Sequence, residues 1–388
     1  MSLYTDYKDV NKEELEKDID NIKSIIGDPS EKDFKHLLKM KRWTTNMHIF
    51  GFIILCMAVL YNNYTEGVST VILILLMLSS SILLGIANVS DWANIAHPIL
   101  HGAYDKVPGI PKRYTKKVYA SGSKRFFDWF DWIKPEAWVY EHNIMHHYHL
   151  GENDDPDNVE KNMVWLHNSK IPMFLKYAFV YVFAMTWKFT YYAPNTLRIL
   201  ENKKRSKLKQ EPLDSYEFNP MKESGRELWL NYYLPYGIYR FIIIPGVFVP
   251  ISWSSAFIVL IVMIITEVYA NLHSFLVIVP NHSAEDIYQF STPHKTQGEY
   301  YLRQIMGSVN YNTGNDYIDF GHGFLNYQIE HHLFPNMPLS FYQKMQPLVK
   351  EICKKHNLEY RQENVFKRMW MTIELMVGKT KVKRIDNI

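Results

Sequence analysis

Residues Thr45–Tyr61, TNMHIFGFIILCMAVLY, and Val68–Val89, VSTVILILLMLSSSILLGIANV, are two apolar runs joined by six residues. At about 1.5 Å per residue, each is long enough to cross a hydrocarbon layer roughly 30 Å thick. The short join makes them a hairpin across a membrane. A soluble core in a chain of 388 residues has no need of such runs. Mean hydropathy is nonetheless slightly negative, −0.22, so a few spanning helices must carry a large water-facing portion.

Outward from this hairpin, a second is expected later in the chain. Ala256–Val279 is a clear spanning run; Tyr232–Trp253 is apolar and aromatic but holds Pro235, Arg240, Pro245 and Pro250. Four crossings in two hairpins result. Ile171–Tyr192 is also apolar, yet Lys176 and Lys188 interrupt it, and a fifth crossing would put the later histidines on the wrong side. It reads as an interfacial helix. Before the first hairpin, Leu15, Ile19, Ile22, Ile25 and Ile26 recur at helical spacing, predicting an amphipathic surface helix over 13–26.

Lys35, Lys39, Lys41 and Arg42 precede the first hairpin, and Lys106, Lys112, Arg113, Lys116 and Lys117 come after it, whereas neither hairpin tip carries Lys or Arg. This bias places the termini and the central segment in the cytoplasm. The formal charge of +3 is small and argues against nucleic acid as a partner. Cys56 and Cys353 lie far apart, so neither a disulfide framework nor a thiolate metal site is expected, in keeping with a reducing compartment. No cleavable signal is read at the N-terminus. The chain divides into a cytoplasmic segment 1–44, a membrane domain 45–350 and a basic cytoplasmic tail 351–388. The expected fold is an all-α integral membrane protein whose cytoplasmic helical cap holds a metal site.

Histidines mark that site. His97 and His101 stand four apart just beyond the second crossing, a spacing that puts both imidazoles on one helix face. Glu141–His149, EHNIMHHYH, repeats the spacing with His142 and His146 and adds His147 and His149. Gln328-Ile329-Glu330-His331-His332 comes after the last crossing, and His282 lies three residues past it. All fall on one membrane face, and eight or more neutral nitrogens divide naturally between two ions. Zinc-protease and ferritin-like motifs are absent. Imidazole alone does not choose among iron, zinc, copper and nickel. His36, His167, His294, His322 and His356 have no partner spacing that raises them above ordinary histidines, His48 near the start of the first crossing reads as interfacial, and His273, nine residues before His282, is not counted among the ligands. Glu267, Asn271 and His273 are costly inside a crossing and are expected to face the bundle or a tunnel.

The run Asn326–Pro335, NYQIEHHLFP, together with the two earlier boxes and the crossings, resembles the membrane fatty acid desaturase family. The likeness covers roughly residues 45–350. Gln328 at the head of the third box is similar to the subgroup of front-end, sphingolipid and bacterial acyl-lipid desaturases. The resemblance implies two irons held by His97, His101, His142, His146, His147, His282, His331 and His332. Gln328, an amide, takes the remaining position weakly or through water. Asp154, Asp155 and Asp157 resemble the acidic stretch after the second box that orients ligand imidazoles. Asn326 and Glu330 are further polar groups beside the third box. Pro98 stands where the family usually has Asp, so Asp91 is the substitute carboxylate. His149 is a further candidate ligand, although Gly151 and the acidic turn after it favour a supporting or surface role.

The resemblance further implies an oxygen-dependent enzyme that introduces a double bond into a fatty acyl chain. Cleaving an unactivated C–H bond requires an oxidising metal site rather than a general base. No heme-binding His-Pro-Gly-Gly stretch, Rieske pair or nucleotide-binding glycine fingerprint is present. Electrons must then come from a separate donor, cytochrome b5 or ferredoxin with its reductase. Lys112–Arg125 offers it a basic surface, or offers one to anionic headgroups. The membrane is the endoplasmic reticulum in a eukaryote and the inner membrane in a bacterium. A di-iron hydroxylase, or a sphingolipid or sterol desaturase, uses the same motifs. A histidine-rich metal transporter or zinc hydrolase is the reading from a different class.

Overall fold

The computed structural model describes residues 4–213 and 218–385. The outermost residues of both terminal segments lie outside them. Among the described residues, three helices are long and apolar enough to cross a membrane: α2 (Glu31–Tyr64), α3 (Thr70–Leu100) and α8 (Trp253–His282). Ser30 and Asp33 close a capping box at the start of α2, and Ser252 accepts from the Ser255 N–H at the start of α8. Small residues let α2, α3 and α8 approach: a Cβ on Gly51 would meet Leu84 at 2.8 Å, and one on Gly85 would meet Tyr269 at 2.4 Å.

At about 1.5 Å per residue, the 34 residues of α2 run about 51 Å, well beyond a hydrocarbon layer of roughly 30 Å. The surplus lies at one end. Phe50, Ile53, Met57 and Leu60 are exposed, whereas Leu37 and Met40, nearer the N-terminus, are fully buried. A helical headpiece covers that end and receives the last turns of α3 and α8. It contains α1 (Lys12–Ile26), α4 (Pro135–Tyr140), α9 (Gln297–Met306), α10 (Asp316–Gly321), α11 (Gln328–Leu333), α12 (Leu339–Lys355) and α13 (Val365–Met376). Two parallel strand pairs stitch it together, β1 (Tyr288–Phe290) with β4 (Lys383–Ile385) and β2 (Asn310–Tyr311) with β3 (Gln362–Glu363).

The amphipathic helix expected near the N-terminus is α1. Leu15, Ile19 and Ile22 are buried against the headpiece, each contributing about 1.5–3 kcal/mol. The contact is close enough that a Cβ on Gly298 would sit 2.0 Å from the Lys12 carbonyl oxygen. The described part of segment 351–388 is folded too: Arg368 of α13 pairs with Asp286 at 2.6 Å, and the Thr372 hydroxyl donates to the Ser283 carbonyl.

Tyr232–Trp253 is built differently from a straight spanning helix. The chain is helical over 223–246 (α7) but carries wide π turns at Trp229–Tyr233 and Tyr239–Ile243, each succeeded by a proline in the next turn. Arg240 in its middle is buried and meets Glu267 of α8 at 3.1 Å. The stretch read as interfacial forms α5 (Met173–Trp187), a π turn at Lys188–Tyr192, and α6 (Ala193–Lys207). Both lysines that interrupt it are buried and satisfied, Lys176 by the His167 carbonyl at 2.9 Å and Lys188 by Asp131 at 2.7 Å.

The overhang of α2 is tied to the headpiece at Asp316, which takes Lys39 at 2.6 Å, His36 at 3.2 Å and Gln343 at 3.0 Å. Burial raises this carboxyl's pKa, but hydrogen bonds from Lys39, Gln343 and His36 outweigh it and hold the group at about 2 instead of 3.8. A depressed carboxyl stabilises the fold above its unfolded value and stops doing so as pH falls through the folded one. The tie is therefore expected to hold above about pH 4 and to be lost towards about pH 2. Asp316→Asn should flatten that acid limb of the thermal-stability profile.

Candidate metal centre

Three π turns surround one point in the headpiece. Asp91–Ala96 precedes His97, Glu141–His146 carries the second histidine box, and Lys188–Tyr192 faces both. In the first two, the backbone N–H of His97 donates to the Trp92 carbonyl and that of His147 to the His142 carbonyl, five residues back. Such turns hold one residue more than an α turn and re-aim the side chains beyond them.

They bring the histidines together. His97, His101, His142, His147 and His331 each place one ring nitrogen within 4.8 Å of the others. His146, His282 and His332 form a second group of the same kind. The groups adjoin, because the rings of His147 and His332 stack at 4.2 Å. Within the first, His142 Nε2 lies 3.1 Å from His97 Nε2 and 3.2 Å from His147 Nε2.

The other ring nitrogens are held from behind. His146 Nδ1 lies 3.0 Å from Asp155 Oδ1, His282 Nδ1 donates to the Gly307 carbonyl at 2.9 Å, His332 Nδ1 meets Gln304 Oε1 at 2.8 Å, and His331 Nδ1 meets the Tyr342 hydroxyl at 3.0 Å. Each contact points Nε2 inward and raises its basicity. Nε2 of His101, His331 and His332 is buried without a hydrogen-bond partner among the described residues. Burial, reinforced by the repulsion of neighbouring imidazoles, pushes His101, His142, His147, His331 and His332 well below their ordinary range, so these rings are neutral. Buried neutral imidazoles with lone pairs facing one another are costly alone and suit a cation. The residues present fit metal binding.

Beside the histidines lies an apolar cavity. Its walls include Trp92, Trp138, Phe183, Trp187, Tyr192 and Phe275, and it reaches His97, His142, His146, His282 and Gln328. The fatty acid desaturase family profile matches residues 72–364. The chain belongs to the fatty acid desaturase family. Among its curated relatives, a Delta(5) fatty acid desaturase of Dictyostelium discoideum is 24% identical over 278 residues, 69% of this chain and 55% of that one. An NADPH-dependent stearoyl-CoA 9-desaturase of Mycobacterium tuberculosis is 22% identical over 292 residues, 73% of this chain and 62% of that one. A Delta(8)-fatty-acid desaturase of Arabidopsis thaliana is 36% identical over 96 residues, 25% of this chain and 20% of that one. The chain thus spans less than two thirds of the length of each.

Of the residues singled out in this desaturase-family sequence, the structure gathers the seven box histidines and His282. Gln328 joins the second group, its amide nitrogen 2.8 Å from His282 Nε2 and its Oε1 without a partner among the described residues. Asp155 and, at 3.8 Å, Asp157 stand behind His146. The remainder go elsewhere. His149 turns to Glu152 at 2.9 Å, and Asp91 to His48 at 2.7 Å. Asp154 is exposed. Asn326 donates to Asp319, and Glu330 accepts from Asn310 and Tyr360. His273 meets the Gly321 carbonyl, while Glu267 accepts from Trp132 and Tyr236 and Asn271 accepts from the Lys188 N–H.

Gln304, Tyr342 and the cavity aromatics carry no motif, and only the folded chain brings them to the histidines. Glu141 is another residue the motifs pass over. It is fully buried, and burial together with Asp157 and Asp155 pushes its carboxyl well up. The Tyr192 hydroxyl donates to it at 3.3 Å. Asp155 has the most direct outer contact, because the Gly151 and Asp157 backbone N–H groups also fix it. Asp155→Asn is expected to weaken metal retention at the His146 group by about 10–100-fold, as measured by chelator competition, with the other group unchanged.

Proposed function

We propose that this chain is an oxygen-dependent membrane desaturase that introduces a double bond into a fatty acyl chain. The observation that carries this reading is the meeting of two imidazole groups with the inner end of an apolar cavity. His97, His101, His142, His147 and His331 would hold one iron, and His146, His282 and His332 a second. When bound, the irons supply, with oxygen and two electrons, the oxidising power that an unactivated methylene requires. The overall balance is –CH2–CH2– plus O2, two electrons and two protons giving –CH=CH– and two waters.

The rest is done by this chain's own groups. Trp92, Phe183, Trp187 and Phe275 exclude water and hold a methylene chain against the histidines. Gln328 supplies the position beside His282; turning its amide over presents Oε1, instead of the N–H, to the same place. Asp155, Gly307, Gln304 and Tyr342 fix the ring orientations.

The fourth crossing is α7 with the residues just after it, packed as a hairpin with α8. Arg240 is the one charge between residues 232 and 253, Glu267 neutralises it, and Ile242, Val247 and Trp253 face outward. On the bias of the flanking lysines the centre would face the cytoplasm, where cytochrome b5 or ferredoxin with its reductase would deliver electrons. At Lys112–Arg125 we take anionic headgroups as the partner: Lys112, Lys116, Lys117 and Lys124 are exposed, Arg125 is buried, Arg113 is paired with Asp128, and Phe127 beside them is 89% exposed.

Product analysis tests this reading. The full chain, expressed with a donor and reductase, should yield a lipid lighter by two hydrogens by mass spectrometry, with iron as the bound metal. A gain of one oxygen would make it a hydroxylase; bound zinc would overturn the reading.

A further inference from the structure

The relatives include an enzyme named for a CoA-borne substrate, and the cavity itself indicates which carrier this chain accepts. Most of its lining is buried. Trp165 and Phe179 are the exposed lining residues, at 53% and 37%, and their rings touch edge to face at 5.1 Å. The mouth therefore lies between the turn that carries Trp165 and the first half of α5.

Around the mouth the surface is apolar. Val164, Ile171, Phe174, Leu175, Tyr181 and Val182 are all exposed, Phe174 to 70%. An apolar face of this extent on a water-soluble surface would be a liability. α5 also packs across α8 at its centre-bearing end, where Phe183 and Trp187 meet Phe275 and the Lys188 N–H donates to Asn271. α8 is one of the spanning helices, so the outer face of α5 is set against the bilayer, and the mouth opens sideways into it.

The charges agree. The cavity lining holds one carboxylate, Asp157, and no lysine or arginine. Cations on the same side are engaged: Lys176 on the His167 carbonyl, Lys379 on Glu374, Arg384 on Glu160. Along 159–176 the exposed cations are Lys161, bonded to the Asn153 carbonyl at 2.9 Å, and Lys170, two separate ammoniums where a CoA would present several phosphates.

We infer that the substrate is the acyl chain of a bilayer lipid, a phospholipid whose headgroup stays at the interface while its tail enters sideways between Trp165 and Phe179. This rests on the acyl desaturase reading and names its carrier.

Photolabelling of the full chain in phosphatidylcholine vesicles tests the inference without turnover. In one arm a mid-chain diazirine is carried on phosphatidylcholine; in the other the same acyl chain is carried on CoA. Mass spectrometry then locates the adducts. The lipid-borne probe should label Met163, Phe183 or Met376 at least about tenfold more than the CoA-borne probe, and Phe179→Asp should reduce that labelling by about tenfold. Equal or stronger labelling from CoA would overturn lateral entry while leaving the desaturase reading in place. Labelling of bilayer-facing Ile74 with none in the cavity from either probe would overturn both.

Discussion

Replacing His142 with alanine is expected to empty the five-histidine group, leave the three-histidine group loaded and bring product formation to background. Its Nε2 is the one that lies within 3.2 Å of two other Nε2 atoms, those of His97 and His147. The ring is held flat against Trp138 at 4.6 Å, so no neighbour can swing in to replace it. Imidazoles left around the gap face one another with no cation between them, and their retention of metal falls with the lost ligand. Elemental analysis should find about half the metal per chain. His149→Ala is the matched control. His149 sits seven residues further along, but Glu152 holds it at 2.9 Å, so metal content should not change. Equal metal loss in the two variants would place His149 among the ligands.

Glu267→Ala should be the most damaging single change outside the histidines. Glu267 is buried and takes Arg240 at 3.1 Å, the Tyr236 hydroxyl at 2.6 Å and the Trp132 indole N–H at 3.0 Å. Removing it leaves a guanidinium unpaired in an apolar surround, at a cost of about 3–5 kcal/mol. Thermal unfolding in detergent should show the loss as a lower midpoint. Glu267→Leu combined with Arg240→Met removes both charges, and most of the stability should return. If the double variant were as unstable as the single one, the pair's role would lie in its hydrogen bonds to Tyr236 and Trp132.

The spanning runs and the histidine clusters were legible because each is a local pattern. All but the first two residues of Val68–Val89 fall within α3, Ala256–Val279 falls within α8, and the isoleucine stripe of 13–26 within α1. The features that escaped depend on partners far along the chain. Arg240 makes Tyr232–Trp253 look unfit for a membrane until Glu267 is seen beside it. Lys188 interrupts an apolar stretch until Asp131 is seen to take it. The same stretch is so uniformly apolar that no periodicity separates Phe183 and Trp187, which face the cavity, from Tyr181 and Val182, which face out. Asp91 reads as a neighbour of His97, but the intervening π turn sends it to His48. The division of eight histidines into five and three depends on how four chain segments converge, and no spacing encodes that.

The π turns also bear on how this chain can vary. Each is equivalent to one residue inserted into an ordinary helix, and one residue corresponds to about 100° of rotation. The lipid-facing stripe of α3 and the imidazoles at its end are therefore read in two frames, with the change of frame at Asp91–Ala96. Deleting one residue there would merge the frames and turn His97 and His101 away from the other histidines while every side chain stayed the same. Apart from the ligands His142 and His146, point substitutions in these turns are open to drift, whereas single-codon insertions and deletions are closed. Homologous chains should thus align through 91–96 and 141–146 without gaps even where their residues differ.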